Sequence, residues 1–255
     1  MREVNISQLW SRAWDLFKVN WLLLLGLLVI AIIVSLTPYI GVLIAVILLM
    51  PALVRAGYLV ARQGQSSFRE AFGDLSLLLK VFVYDLILRL IPGILIGMGV
   101  YKVLESVVDI LAAAPPETEK DYGAMIVSMV LGGTGGVLIG AGLVIFFILY
   151  LFGWAGPYAI LSGRAGIFDA IGQSFSLTAQ NFGKVFLALL SYIGLLIFVP
   201  ISVLVVSLEG FDSVWTLVGY LMWILMWYLI VLPMGSIFLP LLYFALTDEE
   251  GVSHA

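Results

Sequence analysis

The chain has 255 residues, 63% of them hydrophobic and only 11% charged, with a mean hydropathy of +1.16 and a net charge of -4. That composition excludes a water-soluble domain and describes an integral, all-α polytopic membrane protein. Cysteine is absent, which excludes disulfides and thiolate metal sites.

Residues 6–21, ISQLWSRAWDLFKVNW, place Ile6, Leu9, Trp10, Ala13, Trp14, Phe17 and Trp21 at spacings of three and four, with Ser7, Gln8, Ser11, Arg12, Asp15 and Lys18 on the other face. The pattern predicts an amphipathic helix along the membrane surface, its aromatic side dipped into the headgroup boundary. Asn20 and Trp21 then mark an elbow into a first span, 21–37, with the Asn20 side chain serving free backbone donors of the new helix. Arg2, Arg12 and Lys18 ahead of an apolar run resemble a signal peptide. The run is long, however, and no small-x-small site follows it before the next turn, so the span is expected to stay. Thr37, Pro38 and Tyr39 form a tight hairpin into a second span, 40–60, which carries Pro51 and Arg55.

A weaker copy of the amphipathic stretch, SFREAFGDLSLLLKVF (67–82), sets Phe72 opposite Trp10 and Leu78 opposite Leu16. The third span, 80–100, holds Asp85 and Arg89 one helical turn apart. Ionisable groups in a span pair, reach headgroups or mark a polar path, so Arg55, Asp85 and Arg89 form either a structural or lipid-anchoring group or a polar substrate or ion site. Segment 101–123, with AAAPPETEKDYG and its Pro115 and Pro116, reads as a sizeable loop. A fourth span, 124–152, carries Gly132, Gly136 and Gly140 on one stripe, and the third carries Gly93 and Gly97, spacings that let spans three and four pack closely. LGGTGGVLIG lacks the Lys-Ser/Thr ending of a phosphate-cradling loop.

Beyond Pro157, IFDAIGQSFSLTAQNF (167–182) repeats the first stretch, matching Trp10 to Ile171, Trp14 to Phe175, Leu16 to Leu177, Asn20 to Asn181 and Trp21 to Phe182. Spans 184–207 and 214–246 complete a set of six, with Trp215, Trp223 and Trp227 placed for an outer aromatic belt. The 248–255 tail is polar; Asp248, Glu249, Glu250 and His254, the single histidine, suggest no chemistry.

The sequence thus reads as a single membrane domain, 1–255, of three elbow-plus-hairpin units near 5–61, 66–161 and 166–247, related by an axis along the membrane normal. Aromatic stretches at a membrane rim, without a repeat, are the simpler alternative. Pro51, Pro157 and Pro240 recur toward one end of the even-numbered spans, as kinks around a cavity or as packing devices. Arg2, Arg12, Lys18, Arg55, Arg62, Arg69, Lys80, Arg164 and Lys184 fall on one side of a six-span topology. The other side has Lys102 and Lys120 against Glu105, Asp109, Glu117, Glu119, Asp121, Glu209 and Asp212, which puts both termini in the cytoplasm.

The stretch GPYAILSGRAGIFDAIGQSFSLTAQNFGKVFLALLSYIGLLI, the segment GQSSFREAFGDLSLLLKVF and the N-terminal elbow resemble the YciC-like multi-pass membrane proteins. That group is also similar to the membrane domain fused to some glycerophosphodiester phosphodiesterases. The resemblance implies six spans in the cytoplasmic (inner) membrane. This chain departs from it in a very short first outer turn and a longer, acidic second one.

No His-Glu metal pattern, G-x-S-x-G elbow or CxxC is present, so no catalytic residue, cofactor or metal is expected. The leading expectation is a non-enzymatic component of the cytoplasmic membrane that meets lipids, a membrane-protein partner or a second copy through its amphipathic helices, and not nucleic acid. One alternative is a small transporter or channel using Arg55, Asp85 and Arg89. Another, resting on the resemblance, is an accessory to glycerophospholipid metabolism.

Overall fold

A computed structural model describes residues 5–113, 133–207 and 214–247, with side chains at 5–108, 133–198 and 218–247. Expectations for the acidic stretch beyond residue 108, Gly132, Glu209, Asp212, the Trp215 side chain and the tail from Asp248 fall outside these residues. The described chain is helices and short turns with no strand, in keeping with an all-α membrane protein. Five helices are long and apolar enough to cross a membrane, or six if a pair bent by 101° counts as one span.

Helix α1, Ile6–Ser35, starts where Asn5 Oδ1 accepts from the Ser7 and Gln8 amides at 3.1 and 3.3 Å. It then runs 30 residues straight through Asn20, which corrects the expected elbow. The cause lies on its buried side. Ala13, Phe17, Asn20, Leu24, Leu27 and Ala31 alternate steps of four and three, so one uninterrupted seam faces the neighbouring helices from Ala13 to Ala31, on both sides of Asn20.

Thr37, Pro38 and Tyr39 do form a tight turn into α2, Ile40–Ile44. The Ile40 amide donates to the Pro38 carbonyl at 2.8 Å across Tyr39, whose φ of 62 and ψ of -71 define a γ-turn of the rare, strained hand. A π-helical turn, Ala45–Leu49, leads into α3, Met50–Gln63. Pro51 stands just after it: the ring has no N–H to donate and crowds the carbonyls of the preceding turn, and the wider π turn accommodates it.

Helix α3 stops at Gly64, φ 84, whose amide returns to the Val60 carbonyl at 2.9 Å. Helix α4, Phe68–Phe72, opens on a reciprocal capping box between Ser67 and Glu70. Helix α5, Leu75–Ala113, follows, its first turn capped by Asp74 Oδ1 accepting from the Leu77 amide at 3.1 Å. The remaining helices are α6, Thr134–Gly153; α7, Gly156–Leu161; α8, Ile167–Gln180; α9, Phe182–Ser207; and α10, Val214–Thr247.

The chain divides into two compact units, one of Met1–Tyr84 with Trp154–Ala255 and one of Asp85–Gly153. Both boundaries cut through the expected middle repeat, 66–161. In the first unit α1, α3 and α10 pack on one another, and α7 packs on α8. A methyl group at Gly57 would collide with the Ser236 carbonyl, so this glycine sets how closely α3 and α10 approach. From Pro240 to Phe244, α10 is buried on every side, whereas Leu221, Met222 and Trp223 nearer its start face outward.

In the second unit α5 and α6 meet on Gly99, Gly135 and Gly142, where an added Cβ would come within 2.7 Å of the Gly135 carbonyl, Val103 and Ile96 respectively. The glycine stripe expected from sequence is therefore displaced, since Gly93, Gly97 and Gly140 have nothing within 4 Å. Four-residue spacing identifies a stripe on a helix but not which neighbouring stripe is used. Gly135 and Gly142, a heptad apart, also share one.

Candidate functional site

Asn20 is 6% exposed and uses both ends of its amide. Its Nδ2 donates to the Leu16 and Gly64 carbonyls, both at 2.9 Å, and its Oδ1 accepts from the Ser66 amide at 3.3 Å. It therefore staples α1 to the turn that ends α3. It caps no helix. Trp10 also faces inward: its ring stacks on Phe238 with centroids 4.0 Å apart, and its Nε1 donates to Ser191 Oγ at 3.0 Å. A half-buried indole turned toward neighbouring helices needs an acceptor for its N–H, and Ser191 supplies one. Trp10 thus spends one ring face and its N–H on protein partners.

The other aromatics of the matched stretches divide by exposure. Trp14, Trp21, Phe72 and Phe182 are exposed, and Phe175 is half-buried. The three copies also have three different backbones: an unbroken helix, a five-residue helix with a turn, and α8 bent by 101° against α9. At that bend Asn181 Nδ2 donates to the Leu177 carbonyl at 3.1 Å. The side chain thus serves an acceptor of the helix that ends, not a donor of the one that begins.

Helix α8 turns Ala170, Ser174 and Thr178 toward the protein. Ser174 Oγ accepts from the Ala155 amide at 3.0 Å, and Thr178 Oγ1 accepts from Trp154 Nε1 at 3.1 Å. These bonds occur where the helical ladder is interrupted between α6 and α7, so side chains of α8 satisfy donors at the break. Pro157 lies in the first turn of α7, where a missing N–H costs nothing. Pro240 sits within α10 with Pro233 two turns earlier. The three recurring prolines thus occupy a π-turn exit, a helix start and a helix interior, three different local settings.

Arg55 Nη1 donates to the Asp74 carbonyl at 3.1 Å, tying α3 to the start of α5. Arg89 Nε and Asp85 Oδ1 form a pair at 2.8 Å with both side chains well exposed, 60% and 43%. The structure thus joins Asp85 to Arg89 and gives Arg55 a backbone partner of its own. No group of three His, Cys, Asp or Glu able to hold a metal occurs among the described residues.

Two hollows open in the first unit, and neither is evident from sequence. A cavity of about 210 Å³ is lined by Ala155, Ala159, Gln173, Ser174, Ser176, Leu177, Gln180, Tyr243 and Thr247. Its hydroxyls and amides can hold a neutral hydrogen-bonding group; it offers no carboxylate, imidazole or thiol for proton transfer or nucleophilic attack. The second hollow, about 370 Å³ between α1 and α10, is lined by Phe17, Lys18, Trp21, Leu25, Met226, Leu229 and Ile230.

No protein-family model, curated protein or solved structure matches this chain.

Proposed function

We propose that this protein is a non-enzymatic multi-pass component of the cytoplasmic membrane that engages lipid through amphipathic helices at the cytoplasmic face, with α8 foremost. The supporting observation is how α8 is held. It lies at 101° to α9 and satisfies its polar stripe inwardly through Ser174 and Thr178, which leaves Phe168 78% exposed. Arg164 precedes this helix and Lys184 follows it, so an exposed aromatic is flanked by basic residues, the makeup of a helix seated at the headgroup level. A membrane-protein partner on the same face is the other form of this proposal. The transporter alternative draws on Arg55, Asp85 and Arg89, of which Asp85 and Arg89 pair with each other and Arg55 spends one N–H on the Asp74 carbonyl. The YciC-like resemblance adds a role beside glycerophospholipid metabolism, on the sequence segments alone.

The absence of cysteine makes the test clean, since Phe168→Cys carries one nitroxide label in the full chain. In nanodiscs the label is expected at the boundary between headgroups and acyl chains, more accessible to oxygen than to a water-soluble nickel chelate. A label as open to the chelate as one in free solution overturns the proposal. Recovery of a bound protein in place of lipid contact at that position selects the partner form.

A further inference from the structure

We infer that the hollow between α1 and α10 seats an acyl chain of an anionic phospholipid whose phosphate is held by Lys18; this rests on the lipid-engaging reading and names the lipid class. Phe17, Trp21 and Leu25 follow one another at four-residue steps on α1, and Met226, Leu229 and Ile230 face them from α10. The resulting trough runs about 12 Å along the α1 axis from Phe17 to Leu25. Six of its seven lining side chains are apolar, and Lys18, the one ionisable group, stands at the same end as Phe17. An apolar trough with a single cation at its end matches a lipid with one anionic group at the top of its chain. A zwitterionic lipid brings an ammonium that Lys18 repels.

Asp15 pairs with Lys18 at 2.7 Å, but the two side chains are 65% and 55% exposed. An exposed pair of this kind is weak and screened, and an ammonium keeps two further N–H donors, so a phosphate can join or displace the carboxylate. Trp21, half-exposed beside Lys18, suits the headgroup level.

The test is native mass spectrometry of the full chain in detergent with added phosphatidylglycerol or phosphatidylcholine of identical acyl chains. Wild type is expected to retain phosphatidylglycerol about fivefold better, the preference one lysine near a membrane surface confers. Lys18→Gln brings that ratio to unity, Asp15→Asn raises it, and Leu229→Trp, which fills the trough, lowers retention of both lipids. An equal ratio in wild type, or an unchanged ratio in Lys18→Gln, overturns the inference. Both charge substitutions are on exposed side chains, so they carry the test even if Leu229→Trp does not fold. A Phe168 label found in water with the lipid preference intact sinks the α8 proposal alone; a label at headgroup level with no lipid preference sinks the trough alone.

Discussion

Asn20 holds three backbone groups, two carbonyls and an amide, in a place where water is scarce. Removing a partner from buried backbone groups costs about 1 to 3 kcal/mol, so Asn20→Ala is expected to destabilise the protein by about 2 kcal/mol or more. Asn181→Ala removes one bond within its own helix end and is expected to cost less than about 1 kcal/mol. Denaturant titration of the two variants in one detergent checks this; equal losses sink the staple. Tyr39 is a second residue whose worth is set by backbone geometry. It is 87% exposed, so its ring contributes little packing, and its γ-turn conformation suits glycine better. Tyr39→Gly is expected to stabilise by about 1 kcal/mol in the same assay, the strain relieved slightly exceeding the added freedom of the unfolded chain.

Among the helices, close approach explains more than hydrophobicity. Apolar side chains gain little by leaving lipid for protein, so pairing of spans depends on where small residues let backbones meet. Gly135→Leu is therefore expected to separate α5 from α6 and lower the thermal midpoint of the purified chain, whereas Gly140→Leu, into open space, leaves it unchanged. A midpoint moved equally by both places the contact elsewhere. The spans themselves were legible in the sequence, because long uncharged apolar runs have few other uses. The phase of the glycine contact was not, since a stripe repeats around a helix and its partner is not written beside it. The Asp74 partner of Arg55 was not legible for a related reason: it is a backbone carbonyl, which leaves no mark in the side-chain pattern. At residues 6–21 the aromatic spacing was sound as evidence of helix. The same period continuing through Leu24, Leu27 and Ala31 was the sign that no elbow intervenes.

For the molecule as a whole, the charge asymmetry predicts orientation. A fluorescent-protein fusion after Thr247 is expected to glow and an alkaline phosphatase fusion there to be inactive, with the reverse for insertions in the 101–123 segment. Active phosphatase at the C-terminus reverses the topology and moves α8 to the other face. The hollows beside α8 and between α1 and α10 lay beyond sequence reasoning, because each draws on helices far apart in the chain. The matched asparagines, finally, differ in mechanics. Thirty helical residues without a break, packed from Ala13 to Ala31, give α1 no internal joint. Where α8 meets α9 the ladder is already interrupted, and a torque on α8 can be absorbed at Asn181 before it reaches the span. The 6–21 stretch is thus part of an unjointed shaft, and the 167–182 stretch ends in a joint.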